Sequence, residues 1–478
     1  MLLSQISEGG APVEISSLAY DSRSVAPQSL FFCVPGSHSD GHDHAATAVE
    51  RGASALVVER PLGLDVPELI VPSVRAAMAG LAARFYGDPS AALRVIGVTG
   101  TNGKTTTTFL IRALLEAAGQ RCGLLGTVKS VIGGVEGAVI HTTPEAIDLQ
   151  RSLAAMRDAG DVACAMEVSS HALTLHRTDA IHFAAAVFTN LTRDHLDFHG
   201  TMDDYFAAKR ALFDAAPGLA VVGLDDSYGA RIAGELAQVT TFALDGPADY
   251  RALDIHSEIA AAHFTLATPD GERAVRTRLP GRFNVCNTLA AVAVAHGLGI
   301  SLDEIADALP HIEPAPGRFQ ALDEGQPFAV LVDYAHTPDS LENVLRAARE
   351  LTGGRVVCVF GCGGDRDRGK RPEMGRLASQ LADVTIVTSD NPRSESPEAI
   401  IDEILAGAPT SAGPPPEVIV EREAAIARAL SIADPGDVVV IAGKGHEQGQ
   451  EFEDGRKVPF DDATVAREHL RRSALPSR

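Results

Sequence analysis

The segment GVTGTNGKTTTT, residues 97–108, constrains this chain of 478 residues more tightly than any other feature. It follows a short apolar run, Arg94–Val98, which reads as a buried strand. It precedes a stretch in which Phe109, Leu110, Ala113, Leu114, Ala117 and Ala118 recur at helical spacing, with Gly119 as the stop. Strand, glycine-rich turn and helix in that order let backbone N–H groups and the helix N-terminus cradle phosphates. Lys104 can neutralise phosphate charge, and the hydroxyl of Thr105 or Thr106 can serve magnesium. The general phosphate-loop pattern asks for glycine five residues before Gly103, where Val98 stands. The variant TGTNGKTT is more specific than that general pattern.

The chain is too long for one hydrophobic core, so two to four domains are expected. The sequence divides into three blocks, 1–90, 91–315 and 316–478, with EPAPGR near 313 as the linker before the last. In the last block the runs Arg355–Phe360, Val384–Thr388 and Val438–Ala442 each end in a polar or glycine-rich loop. Those loops are GCGGDRDRGKRP (361–372), SDNPR (389–393) and GKGHE (443–447). Helix-like sequence between them gives a doubly wound pattern, in which ligands bind at the carboxyl ends of the strands. The fold class is α/β. The three domains are expected to be a small α/β domain, a central phosphate-loop domain on a mostly parallel sheet, and a Rossmann-like C-terminal domain.

A formal charge of −22 argues against a nucleic-acid partner, which needs a dense basic face. A few cations and backbone N–H groups still suffice for an anionic small ligand. The start, MLLSQISEGG, lacks the basic residues and long apolar stretch of a secretory signal, and no apolar run approaches the roughly 20 residues that span a bilayer. The expectation is a cytoplasmic monomer without membrane insertion. Six scattered cysteines have no metal-site spacing and are assigned no role.

TGTNGKTT resembles the ATP loop of the Mur ligases and of their relative folylpolyglutamate synthetase, and further matches extend that resemblance over nearly the whole chain. It implies that Gly100, Thr101, Asn102, Gly103, Lys104, Thr105 and Thr106 bind ATP. MEVSSHAL (166–173) resembles the family's magnesium-binding segment, with Glu167 as ligand, and FTNLTRDHLDFHG (188–200) implies His195 at a second magnesium. YFAAKRALF (205–213) sets Lys209 where these enzymes carry a carbamylated lysine (N6-carboxylysine), whose oxygens suit a hard cation. Read from its residues alone, Lys209 is a surface helix lysine. GRFNVCNTLAA (281–291), PGRFQ (316–320) and LVDYAHTPDSL (331–341) imply Asn287 near adenine, with Arg318, Asp333 and His336 closing over the nucleotide. From the residues themselves, DYAHTP is a strand running into a loop and a helix capped by Asp339.

Folylpolyglutamate synthetase lacks a separate domain like residues 1–90. DSR (21–23) and PGSHSDGH (35–42) in that block resemble the family segments that hold the UDP end of a peptidoglycan precursor, implicating Ser22, Ser37, His38 and Ser39. Thr142, Thr143, Ser169 and Arg177 match positions that grip the muramoyl-peptide, whereas Leu175 and Gly223 depart from the family's Gln and Asn. DNPR (390–393) is similar to the motif of diaminopimelate-adding members; lysine-adding members lack it. The implied amino-acid site comprises Arg366, Asp390, Asn391, Pro392, Arg393, Gly443 and Glu447. Arg393 can grasp the far carboxylate of meso-diaminopimelate through two charge-assisted hydrogen bonds, and Glu447 can accept from its far ammonium.

The implied activity is ATP-dependent addition of diaminopimelate to UDP-MurNAc-L-Ala-D-Glu, with two magnesium ions. Lys104, Glu167, His195, Lys209 and His336 form the implied catalytic set. A lysine-adding ligase, a nucleotide-binding regulatory module without ligase activity, and a generic phosphate-loop ATPase are the alternatives.

Overall fold

The computed structural model describes residues 1–36, 39–215, 218–408 and 414–474; the candidate residues Ser37 and His38 lie outside the described residues. In the N-terminal region, strands Ser17–Ala19, Ser29–Phe32, Ala53–Val58 and Glu68–Ile70 pair in that order, all parallel. Helix Val74–Phe85 is capped by Ser73 and buries Val74, Met78, Ala79 and Ala82 against Leu30, Phe32, Ala55 and Val57. Parallel pairing sends the loops after the first two strands off the same edge, and these loops carry Ser22 and Ser39.

The central sheet has eleven strands, with Arg94–Thr99 between Phe183–Phe188 and Ala163–Glu167 and parallel to both. Its middle is parallel, and antiparallel hairpins extend both ends. One face packs on helix Lys104–Ala117, through Leu110, Ile111 and Leu114, and on helix Arg282–Gly297. The latter is apolar on nearly every side, as a helix enclosed by its own domain must be. Leu149, Leu153, Tyr205 and Phe206 of helices Ala146–Ala159 and Met202–Asp214 cover the other face. The helix after the glycine loop starts directly at Lys104.

The C-terminal sheet runs in the order Gln320–Leu322, Ala329–Asp333, Val438–Ala442, Val356–Phe360, Val384–Val387, Glu417–Val418; all pairs except the first are parallel. Its central strands are buried on both faces, which explains their unbroken Val and Ile runs. The three loops 361–372, 389–393 and 443–447 therefore leave one edge together. Helix Pro338–Glu350 corrects one expectation. Thr337, not Asp339, is its N-cap, accepting from Ser340 N, and Pro338 occupies the first helical position. The Asp339 carboxylate instead reaches into the central domain. Among the described residues no helix is long and apolar enough to cross a membrane.

Candidate active site

Two cavities meet at the glycine loop. A cleft of about 500 Å³ is lined by Asn102, Gly103, Thr106 and Asn287 of the central domain and by Arg318, Asp333 and His336 of the C-terminal one. A smaller pocket of about 180 Å³ holds Lys104, Thr105, Glu167, His195 and Lys209. The loop is wedged between its neighbours: a Cβ on Gly100 would stand 1.9 Å from Thr189 Oγ1, and one on Gly103 would stand 2.3 Å from Asn287 Oδ1. Both residues also have positive φ, so glycine is required on two counts.

Lys104 Nζ donates to the carbonyls of Gly100 and Thr101 at 2.8 and 2.7 Å, and Lys209 Nζ donates to that same Gly100 carbonyl at 2.8 Å. Lys209 is only 1% exposed, which corrects the reading of it as a surface lysine. Burial lowers the basicity of Lys104, against the pull of Glu167 and Asp194. Burial, and then the charge of Lys104, holds Lys209 well below the usual amine range. Two ammonium groups on one carbonyl repel each other, so a neutral Lys209 is the form this geometry favours.

Glu167 Oε1 accepts from Thr105 Oγ1 at 3.0 Å and from Thr127 N at 2.8 Å, forming a hard-oxygen patch directly under the loop. Arg318 crosses from the C-terminal domain to donate to Thr105 Oγ1 at 3.1 Å, with its guanidinium 4.5 Å above the Tyr334 ring. Burial pushes Asp333 up to about 6, opposed by Arg318 and by the Phe319 N–H that it accepts at 2.6 Å. Asn102 Nδ2 donates to Asp339 at 2.6 Å, a second bond between the domains.

His195 takes a left-handed backbone, with Nε2 3.3 Å from Asp194. Loss of water pushes it down to about 4, with Asp194 opposing and His171 and both lysines assisting. Its side chain is 44% exposed and opens onto the pocket that Lys104 and Glu167 line. His336 is likewise lowered, by burial and then by Lys370. Its Nδ1 lies 2.8 Å from the Tyr334 carbonyl and must donate there, which leaves Nε2 as the acceptor of a neutral ring.

The precursor residues separate into two places. Thr142, Thr143, Ser169 and Arg177 form one patch: Thr142 meets Thr127 at 3.2 Å, Ser169 N donates to Thr143 Oγ1 at 3.0 Å, and Arg177 donates to Thr143 O at 2.9 Å. Glu145 already pairs with Arg177 at 2.7 Å. Ser22 and Ser39 lie on the N-terminal sheet's loops, where Ser22 O accepts from Arg51 and Ser39 Oγ bonds His44.

At the C-terminal edge the candidate residues form a charged network. Asn391 Nδ2 donates to Glu447 at 2.8 Å, and Arg393 Nη1 donates to the Gly364 carbonyl at 2.7 Å. The sequence reading missed two members. Lys444, completely buried, donates to Asn391 Oδ1 at 2.8 Å and to Glu447 at 3.0 Å, while Arg393 Nε donates to Glu451 at 3.0 Å. Lys444 sits in GKGHE after a wholly apolar strand, a signal that could have been used. Glu451 lies 58 residues from its partner and carries no local signal. Gly443 N donates to the Asp333 carbonyl at 3.1 Å, joining this edge to the larger cleft. Asp390 is buried and lies 3.4 Å from Lys444, whereas Arg366 is exposed and donates to its neighbour Asp365 O, apart from the Arg393 network.

Fold and clefts together define a three-domain α/β protein with a phosphate-loop unit opening onto a neighbouring doubly wound domain. Residues 14–86 match the model of the Mur ligase family catalytic domain, 98–295 the Mur ligase middle domain, and 317–445 the Mur ligase glutamate ligase domain. The chain belongs to the Mur ligase family. It is 46% identical to the UDP-N-acetylmuramoyl-L-alanyl-D-glutamate--2,6-diaminopimelate ligase of Syntrophomonas wolfei, across 98% of this chain and 97% of that protein. A solved structure of a ligase of the same name superposes with a TM-score of 0.70 at 35% identity, covering 99% of both chains. The MurF ligase of Thermotoga maritima, solved in complex with ADP, shares the fold at a TM-score of 0.66 and 20% identity, over 95% of this chain and 96% of that one.

Proposed function

We propose that this protein is the ATP-dependent ligase that joins meso-diaminopimelate to the D-glutamate side-chain carboxylate of UDP-MurNAc-L-Ala-D-Glu in peptidoglycan synthesis. The similarity to diaminopimelate ligases along the whole chain supports the reaction. The observation that carries the choice of amino acid is Arg393 at the sheet edge, a cation suited to a second carboxylate. Lysine has no such carboxylate and would leave that guanidinium without its ligand, and a built-in partner left unmatched costs roughly 10⁴-fold in selectivity.

Residues 1–90 are assigned to the UDP end, 91–315 to ATP and 316–478 to the amino acid. The glycine loop from Gly100 to Thr106 holds the phosphates, Lys104 neutralises them, and Asn287, Arg318 and Asp333 border the nucleotide. Thr142, Thr143, Ser169 and Arg177 receive the muramoyl-peptide, with the loops of Ser22 and Ser37–Ser39 at its uridine end. Asp390, Asn391, Pro392, Arg393, Gly443 and Glu447 frame the diaminopimelate, and Arg366 adds positive charge beyond them.

The substrate carboxylate attacks the γ-phosphorus, the bond to the β,γ-bridging oxygen breaks, and ADP leaves an acyl phosphate. The amine of diaminopimelate then attacks the acyl carbon, and phosphate departs from the tetrahedral intermediate. His336, with its free Nε2, is the side-chain candidate for the amine proton, alongside water. The oxygens of Glu167 and Thr105 fit a hard cation, and the buried, weakly basic amine of Lys209 fits reaction with carbon dioxide to a carbamate plus a proton. Two magnesium ions, held by Thr105, Glu167, His195 and carbamylated Lys209, would supply charge neutralisation on the phosphoryl group. Phosphate release that depends on both the UDP-dipeptide and diaminopimelate is expected. Release unaffected by omitting either would refute a ligase.

A further inference from the structure

We propose that Glu451 is a positioning residue that sets amino-acid specificity by presenting Arg393 to its ligand in one orientation, an inference that rests on the diaminopimelate reading above. Arg393 has a left-handed backbone, φ +53°, which a side chain other than glycine adopts only when its surroundings enforce it. Glu451 supplies that enforcement twice: its carbonyl accepts from Arg393 N at 3.0 Å, and its carboxylate accepts from Arg393 Nε at 3.0 Å. Glu451 is itself anchored, since its N–H donates to Asn391 Oδ1 at 3.0 Å. The preceding Gln450 donates to the Asp390 carbonyl at 2.8 Å. The hairpin formed by Gly449–Glu451 and Lys457–Pro459 thus clasps the DNPR loop from end to end.

The consequence lies in the guanidinium's donors. Arginine has five N–H bonds, and a carboxylate can be gripped along the Nε edge or end-on between the two terminal nitrogens. Glu451 takes the Nε–H, so that edge can no longer offer two donors, and Gly364 O takes one N–H of Nη1. The end-on fork, one N–H of Nη1 with Nη2, is left for the far carboxylate. Glu447 is held elsewhere, its Oε2 accepting from Lys444 and Asn391. Without the Glu451 carboxylate the Nε–H is released while the main-chain bond to Arg393 stays, so the guanidinium can turn and the ligand loses its single register.

The test is steady-state kinetics of Glu451→Ala and Glu451→Gln with ATP, UDP-MurNAc-L-Ala-D-Glu and either diaminopimelate or lysine. In E451A the KM for diaminopimelate should rise about 10-fold with kcat, and the KM values of the other two substrates, little changed. KM for lysine, which has no far carboxylate, should stay where it is. E451Q, whose amide oxygen still accepts from Nε, should restore most of the affinity. If E451A does not fold, Glu451→Asp, which withdraws the carboxylate by one methylene, must raise the same KM selectively. An unchanged diaminopimelate KM, or equal rises for all substrates, overturns the role of Glu451 alone. A wild-type protein that does not consume diaminopimelate overturns the underlying reading and this role with it.

Discussion

The nucleotide cleft and the amino-acid pocket both bury cations, but they settle the charge differently. In the cleft the Lys104 ammonium donates to backbone carbonyls and Arg318 donates to a hydroxyl, while the neutral amine of Lys209 shares the Gly100 carbonyl. At the C-terminal edge the buried or half-buried cations face carboxylates: Lys444 faces Glu447, Arg393 faces Glu451, and behind them Arg422 faces Asp462 and Arg371 faces Glu395. A site whose cations hold only neutral acceptors is completed by an anionic ligand, the phosphates of ATP in the proposed reading. A site that already sets carboxylates beside its cations suits a ligand that brings both signs, as the far end of diaminopimelate would under the proposed reading. Desolvation makes each arrangement costly to leave unmatched.

The sharpest way to break the contrast is Lys104→Ala. Removing a cation that only the ligand neutralises should lower ATP-dependent tripeptide formation by about 10³-fold. Near-normal turnover would mean that the cleft's charge is idle. Lys209→Met should cost about 10²-fold by the same assay, because it removes both the amine and any carbamate made from it. In the paired pocket Arg393→Lys should act on one substrate only, raising KM for diaminopimelate about 10²-fold while leaving KM for ATP alone. A point charge cannot reproduce the planar fork.

The smallest expected effect concerns pH. Glu395 is held down to about 2, chiefly by its hydrogen bond to Arg371. Its folded-state value lies below its ordinary one, so its stabilisation is present above about 4.5 and is lost as pH falls through about 2. Asp333, raised to about 6, has the opposite sign: its contribution is full below its ordinary value and is lost as pH rises through about 6. Denaturation midpoints of Glu395→Gln should show a flatter acid limb, and those of Asp333→Asn should lose the decline between about 4 and 6.

Local pattern made the glycine loop, its helix and the three C-terminal strands legible, because each is a contiguous run with its own periodicity. Lys209 was not legible from its residues. Nothing within its helix reveals that it lies beneath Gly100, 109 residues away. The antiparallel extension Tyr250–Thr277 was passed over, although its alternation and the Pro-Asp-Gly turn at 269–271 were there to read. Asp339 looked like a cap because it opens a helix; Thr337 and Pro338 outcompete it locally, and its carboxylate serves the contact with Asn102 instead. Of the amino-acid pocket, DNPR and GKGHE were visible as motifs. The pairing of Arg393 with Glu451 arises only when a distant hairpin folds back.

The most direct test of the whole account offers the purified protein ATP, UDP-MurNAc-L-Ala-D-Glu and an equimolar mixture of meso-diaminopimelate and lysine, with the product identified by mass spectrometry. The account predicts a tripeptide carrying diaminopimelate almost exclusively. A product carrying mainly lysine would contradict it.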